Sequence, residues 1–218
     1  MADKEEGPLP RAGENSGFFF TFEGCEGSGK TTQVELLEEN LAEKGFGVLV
    51  SREPGGTAVG ARIREILLDP EGTGIEPLAE ALLFAADRAQ QVAEVVMPAL
   101  REGLVVIGDR FVDSSLAYQG VARGVGLEAV ARLNEWATGG LEPTLTFYLD
   151  IPVEEALARK AGEGHDRIEG EPAVFHQAVR EAYIMLSKLY SHRVVVIDAK
   201  ASREEIHARV RREVERFL

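Results

Sequence analysis

Between an apolar run at residues 18–22 and an amphipathic stretch at 30–44 stands Gly24-Cys25-Glu26-Gly27-Ser28-Gly29-Lys30-Thr31, a complete G-x-x-x-x-G-K-[ST] pattern. The glycines allow a backbone turn in which successive N–H groups converge on one anion, and the helix that follows adds partial positive charge. A strand before and a helix after is the context that separates a phosphate loop from a chance match. A plain glycine-rich strand-to-helix turn is the competing reading. In the phosphate-loop reading, Gly24 through Gly29 with Lys30, Thr31 and Thr32 hold ATP as co-substrate. Lys30 then reaches the β- and γ-phosphates and the Thr31 hydroxyl ligates Mg²⁺. Cys25 occupies a variable position and reads as a small filler.

Further short apolar runs occupy 48–50, 104–107, 145–149 and 194–197. Helical patterns lie between and beyond them, at 61–68, 79–97, 127–138, 153–161, 172–190 and 203–218. The runs lack clean alternation, which suggests strands buried on both faces. This β-α-β-α succession predicts an α/β fold: a parallel sheet of about five strands with helices on both sides. Residues 1–17 are polar and aperiodic and read as a disordered tail, leaving 18–218 as one domain. The glycine-rich, charged stretch at 161–172 reads as a mobile surface loop, part of a small lid at about 159–171.

Charge narrows the partners. Twenty-four Lys and Arg against 37 Asp and Glu give a net charge of −13. Proteins that grip nucleic acid draw most of their affinity from phosphate neutralisation, so no nucleic-acid partner and no membrane surface is expected. No apolar run approaches the ~18 residues of a bilayer span. The single cysteine, Cys25, excludes an internal disulfide and suits a cytoplasmic protein.

A GTPase reading fails. Asp69-Pro70-Glu71-Gly72 fits D-x-x-G, but it closes a helical run, and no N-K-x-D occurs in the chain. What the chain offers instead is arginine after strands. Arg52 follows the run at 48–50, and Asp109-Arg110 follows the run at 104–107. Ligands of open α/β sheets bind at such strand ends, and guanidinium groups bind phosphate oxygens bidentately.

These residues resemble the thymidylate kinase family. The resemblance rests on Phe22-Glu23-Gly24 with Lys30-Thr31-Thr32, on Arg52-Glu53-Pro54-Gly55-Gly56-Thr57, and on Asp109-Arg110-Phe111 running on to Ser114-Ser115-Leu116-Ala117-Tyr118-Gln119-Gly120. Leu83-Phe84, Arg88-Ala89-Gln90 and Asp166-Arg167 follow the same pattern, and the likeness covers about residue 18 to the C-terminus. It implies transfer of the γ-phosphoryl group of ATP to dTMP, with Mg²⁺, in a homodimer. It further implies that Arg52 and Arg110 hold the acceptor phosphate. Asp109 and Glu53 would orient the metal, directly or through water. Glu26 would meet the deoxyribose 3′-OH and Tyr118 would crowd the 2′ position. With no arginine inside the phosphate loop, the chain is similar to the subgroup that supplies one from the lid, with Arg159 first and Arg167 second as catalytic candidates.

Spacing bears on the base. Phe84 and Arg88 are i and i+4 on one predicted helix, so both project from one face. A phenyl ring there can stack on a pyrimidine while a guanidinium donates to its O4; Phe84 as a core aromatic is the alternative. Ser115 and Gln119 repeat the spacing, and an amide offers both a donor and an acceptor to N3 and an adjacent oxygen. Two rivals stay open: a deoxynucleoside kinase with a 5′-OH acceptor and Glu53 as base, and a non-catalytic ATP-binding module.

Overall fold

The structure is a computed structural model that describes residues 17–72, 74–160 and 165–218. The expected tail at 1–16 and the middle of the expected lid, 161–164, lie outside the described residues. Gly17, counted with the tail, is tied into the fold, its N–H donating to Leu100 O at 2.7 Å.

Five strands, β1 (Phe19–Glu23), β2 (Val48–Arg52), β3 (Val105–Asp109), β4 (Leu145–Asp150) and β5 (Val194–Asp198), form one sheet in the order β2-β3-β1-β4-β5. Every pairing is parallel. The expected α/β fold with a five-stranded parallel sheet is what the chain forms. β1 shows why alternation was missing from its sequence. Phe20 and Phe22 pack on one face with Leu37, Leu41, Phe147 and Val210, while Phe19 packs on the other with Val92, Val96, Val106 and Phe111. Both faces are core, so both sets of side chains are apolar.

The helices are α1 (Lys30–Glu43), α2 (Ala58–Leu68), α3 (Pro77–Gln91), α4 (Met97–Arg101), α5 (Val112–Ser115), α6 (Leu127–Thr138), α7 (Val153–Arg159), α8 (Ala173–Leu189) and α9 (Arg203–Val214). The helix expected over 79–97 is interrupted by wider π-type turns at Val92–Val96. Pro98 lacks the N–H of a regular turn, and a wide turn just before it absorbs the mismatch. The C-terminal helix stops at Val214 rather than running to 218. A helical stretch over 112–122, whose second half, Leu116–Ala122, is also π-type, was not among the expected elements. Its polar motif residues masked the apolar period.

Capping differs by purpose. Ser202 and Glu205 form a reciprocal capping box on α9, and Thr57 Oγ1 accepts from Gly60 N on α2. At α1 the cap is Gly29, in the left-handed region at φ 92°, and no side chain accepts from the first turn. The orphan N–H groups there are left for an anion. Glu23, Arg52 and Asp109 close β1, β2 and β3 at the same C-terminal end of the sheet.

Candidate active site

A cleft opens at those strand ends, lined by the segments that follow β1, β2 and β3, by Phe84 of α3 and by residues between Asp166 and His176. Its floor is the phosphate loop. Gly27 has φ 76°, and a Cβ there would lie 2.6 Å from Ala156 O, so the loop needs glycine on both counts. Lys30 is buried, with Nζ donating to Cys25 O at 3.0 Å and 3.7 Å from Glu26. Burial, reinforced by Arg110, pushes its ammonium below the usual lysine range. Cys25 is buried and unbonded to other cysteines, and burial raises its thiol, as suits a filler.

The metal candidates divide. Thr31 Oγ1 donates to Asp109 Oδ2 at 3.2 Å, which places a hydroxyl and a carboxylate side by side at the loop. Glu53 is elsewhere engaged: its Oε2 accepts from Arg88 Nε at 2.9 Å and lies 2.6 Å from Arg88 Nη2. The expectation that Glu53 serves the metal is therefore corrected, because a buried guanidinium holds its carboxylate. Burial lifts that carboxyl to about 7, against the lowering effect of Arg88.

Two arginines enter the cleft from the ends of β2 and β3. Arg52 is 62 % exposed and its Nε lies 3.8 Å from Asp109 Oδ2. Arg110 is held in the left-handed region at φ 74°, with its N–H bonded to Phe22 O. That turn swings its side chain back over the phosphate loop. There Nη1 donates to Gly24 O at 3.0 Å and Ser114 Oγ at 3.1 Å, and Nη2 pairs with Glu26. Lys30 chiefly, then Arg110, holds the Glu26 carboxyl far below the usual carboxylate range despite burial. The Arg110 guanidinium carbon also lies 5.4 Å over the Tyr118 ring. Phe84, Ser115, Tyr118 and Gln119 complete the wall opposite.

Comparison with known proteins decides what kind of cleft this is. Residues 22–210 match the family model described as thymidylate kinase. The chain is 52 % identical over 202 residues to a thymidylate kinase of Caldanaerobacter subterraneus subsp. tengcongensis, covering 93 % of this chain and 97 % of that one. It is 50 % identical over 200 residues to a thymidylate kinase of Symbiobacterium thermophilum, covering 92 % and 94 %. A crystal structure of thymidylate kinase from Ehrlichia chaffeensis superposes with a TM-score of 0.75 at 32 % identity, covering 91 % of this chain and 98 % of that one.

The chain belongs to the thymidylate kinase family.

Within that family frame, three expected site residues sit differently from expectation, Arg88 from its spacing and Arg159 and Arg167 from the resemblance. Phe84 faces the cleft, but Arg88, one turn on, is 1 % exposed and lies behind the wall. Besides Glu53, it donates to Ser115 Oγ at 2.9 Å, to Asn134 Oδ1 and to Phe111 O at 3.0 Å. Four hydrogen bonds and the ion pair with Glu53 engage all three guanidinium nitrogens, so Arg88 is turned to these partners and would reach O4 only by exchanging one of them. Arg167 is likewise turned away, with Nε donating to Leu67 O at 2.8 Å and Nη2 to Glu80 Oε2 at 2.7 Å. Arg159 is exposed and lies on the loop's far side, bonded to Gly27 O and Ala199 O rather than facing the cleft. Neither lid arginine therefore points at the transfer site in this conformation.

The sequence reading assigned no role to three residues of the site. Glu23 is completely buried at the end of β1 and accepts from Phe111 N, Ser114 N, Ser114 Oγ and Tyr183 Oη, which braces the Asp109–Ser114 turn behind Arg110. Burial first, then Asp113, raises its carboxyl. A charged residue closing an otherwise apolar strand was the available signal. Arg64 and Asp166 also line the cleft. Arg64 carried no signal, being one of several charges on an amphipathic helix.

Proposed function

We propose that this chain transfers the γ-phosphoryl group of ATP to dTMP, giving dTDP and ADP, the step before dTTP. The observation that carries this reading is one continuous cleft joining the phosphate loop, two strand-end arginines and an aromatic-walled recess. An acceptor phosphate is already an anion, so no strong general base is required, and positioning with charge neutralisation does most of the work. Lys30 and the α1 N-terminus would hold the donor phosphates, with Arg52 at the acceptor phosphate. Arg110 touches the loop and faces the acceptor side, so it would bridge the two. Glu26 would accept from a sugar hydroxyl, Tyr118 would limit bulk beside it, and Phe84 would stack on the base.

Thr31 and Asp109 suit Mg²⁺, which takes hard oxygen ligands and keeps waters and substrate phosphates as the rest of its shell. Among the described residues, no group of three or more His, Cys, Asp or Glu is placed to hold a metal ion by itself. Held there by Thr31 and Asp109, the ion would supply charge neutralisation for the donor phosphates. Movement of the Arg159 end of the segment at 159–171 over the cleft would bring Arg159 to the transferring group, while Arg167 stays on Glu80. A cytoplasmic enzyme with no nucleic-acid partner is our reading. Among the described residues, no helix is long and apolar enough to cross a membrane.

A coupled ADP-release assay tests the reaction. Turnover is expected with dTMP and none with thymidine; turnover with thymidine alone would favour the 5′-OH kinase. Arg52→Ala should raise KM for dTMP by about tenfold or more, the loss of one charge-assisted contact, and leave the melting temperature within a few degrees. An unchanged KM would remove Arg52 from the acceptor site. Leu78 and Leu82 on α3, with Val59 and Ile66 on α2, are about half exposed, and we propose that a second copy of the chain covers them. Sedimentation of a 1:1 monomer at micromolar concentration would sink that part.

A further inference from the structure

Gln119 lines the same cleft as Phe84, and its amide cannot choose freely which end faces that cleft. Its Nε2 donates to Glu80 Oε1 at 2.8 Å. Glu80 is 1 % exposed on α3. It also accepts from Arg123 Nε at 3.3 Å and from Arg167 Nη2 at 2.7 Å. A carboxylate clasped by two guanidinium groups is an acceptor only. If the amide turned over, Gln119 Oε1 would meet that carboxylate lone pair to lone pair in a buried place, leaving a donor unmatched. The carbonyl Oε1 is accordingly the end left over. None of the described residues donates to it, and Gln119 lines the cleft, so the carbonyl is the end on offer there.

We infer that Glu80 is a positioning residue for base selectivity: by locking the Gln119 amide carbonyl-first toward the cleft, it favours pyrimidines that carry an N3–H over those whose N3 is a bare acceptor. The inference rests on the dTMP reading above and deepens it. Thymine and uracil present N3–H, which a carbonyl accepts. Cytosine presents a lone pair at N3, which would oppose the carbonyl and leave two acceptors unpaired in a dry recess; sites built on such polar matching reject mismatched substrates strongly. Arg88, the other candidate for this discrimination, has its guanidinium nitrogens engaged. The clasp joins three separate elements, since Glu80 is on α3, Arg123 follows the 116–122 turns and Arg167 lies in the late loop.

Glu80→Gln keeps the shape and removes the constraint, because an amide partner lets Gln119 face either way. The ratio of kcat/KM for dTMP over dCMP should fall by about tenfold, through a higher KM for dTMP, with KM for ATP unchanged. A general loosening of the fold would depress both substrates alike and preserve the ratio. An unchanged ratio in a folded Glu80→Gln protein overturns the inference. Should that variant fail to fold, the wild-type protein decides. Its Gln119 side-chain NH₂ resonances, assigned by their loss in Gln119→Met, should exchange slowly with solvent both free and with dTMP bound. Fast exchange in the complex means the amide has left Glu80, and the inference falls. Absence of dTMP turnover by the wild-type chain would strike the underlying reading instead, and amide exchange would still decide the Glu80 contact.

Discussion

Replacing Lys30 by methionine should lower kcat for dTMP by about two to three orders of magnitude, the scale of losing one preorganised charge at a transferring group. The folded protein should survive the change. Lys30 is buried, and burial lowers its affinity for a proton, so the ammonium is held at a cost that a phosphate would offset and an empty loop does not. Methionine keeps the aliphatic stem; it leaves the Cys25 carbonyl without its donor and takes one of two cations from Glu26, which Arg110 still pairs. The melting temperature should therefore change by a few degrees at most, while single-turnover phosphoryl transfer collapses. A variant that keeps more than a tenth of wild-type kcat would remove Lys30 from the reaction.

Arg88→Ala should behave in the opposite way, with stability rather than chemistry failing first. The change strips the guanidinium from a buried carboxylate, an amide, a hydroxyl and a backbone carbonyl at once. Breaking a buried pair from one side costs about 3–5 kcal/mol. The loss should depend on pH in a defined sense. In the wild-type protein Glu53 is raised to about 7, and burial raises it while Arg88 lowers it. A carboxyl whose folded pKa exceeds its unfolded value stabilises the fold at low pH and loses that contribution as pH rises through the folded value. Without Arg88 the folded value climbs further, so the variant goes on losing stability above pH 7, where the wild type has levelled off. Denaturant melts at pH 6 and pH 8.5 should show the larger deficit at pH 8.5. A deficit that is equal at both, or larger at pH 6, would mean that Glu53 does not carry the charge Arg88 neutralises.

Much of this molecule was legible before any coordinates. The strand runs, the phosphate loop and the arginines after β2 and β3 all announce themselves through local pattern, because a strand buried on both faces must be apolar throughout and a loop that wraps an anion must be glycine-rich. The order β2-β3-β1-β4-β5 then brings Arg52, Asp109 and the loop to one end of the sheet. The π-type turns were not legible. They respond to Pro98 in one case, and in the other they lie within a motif whose polar residues face the cleft.

The sequence by itself determined the α/β class, the loop that meets phosphate, and the family motifs, since each is written in neighbouring residues or in a period of two or 3.6. Only the tertiary structure decided which charges are available. Arg52 and Arg88 are both arginines in family motifs, yet one stands 62 % exposed at the cleft and the other is spent on Glu53, Ser115, Asn134 and Phe111. Spacing along a helix tells which way a side chain leaves the backbone. Whether a donor is still free at its tip depends on acceptors brought from distant elements, and no local pattern contains them.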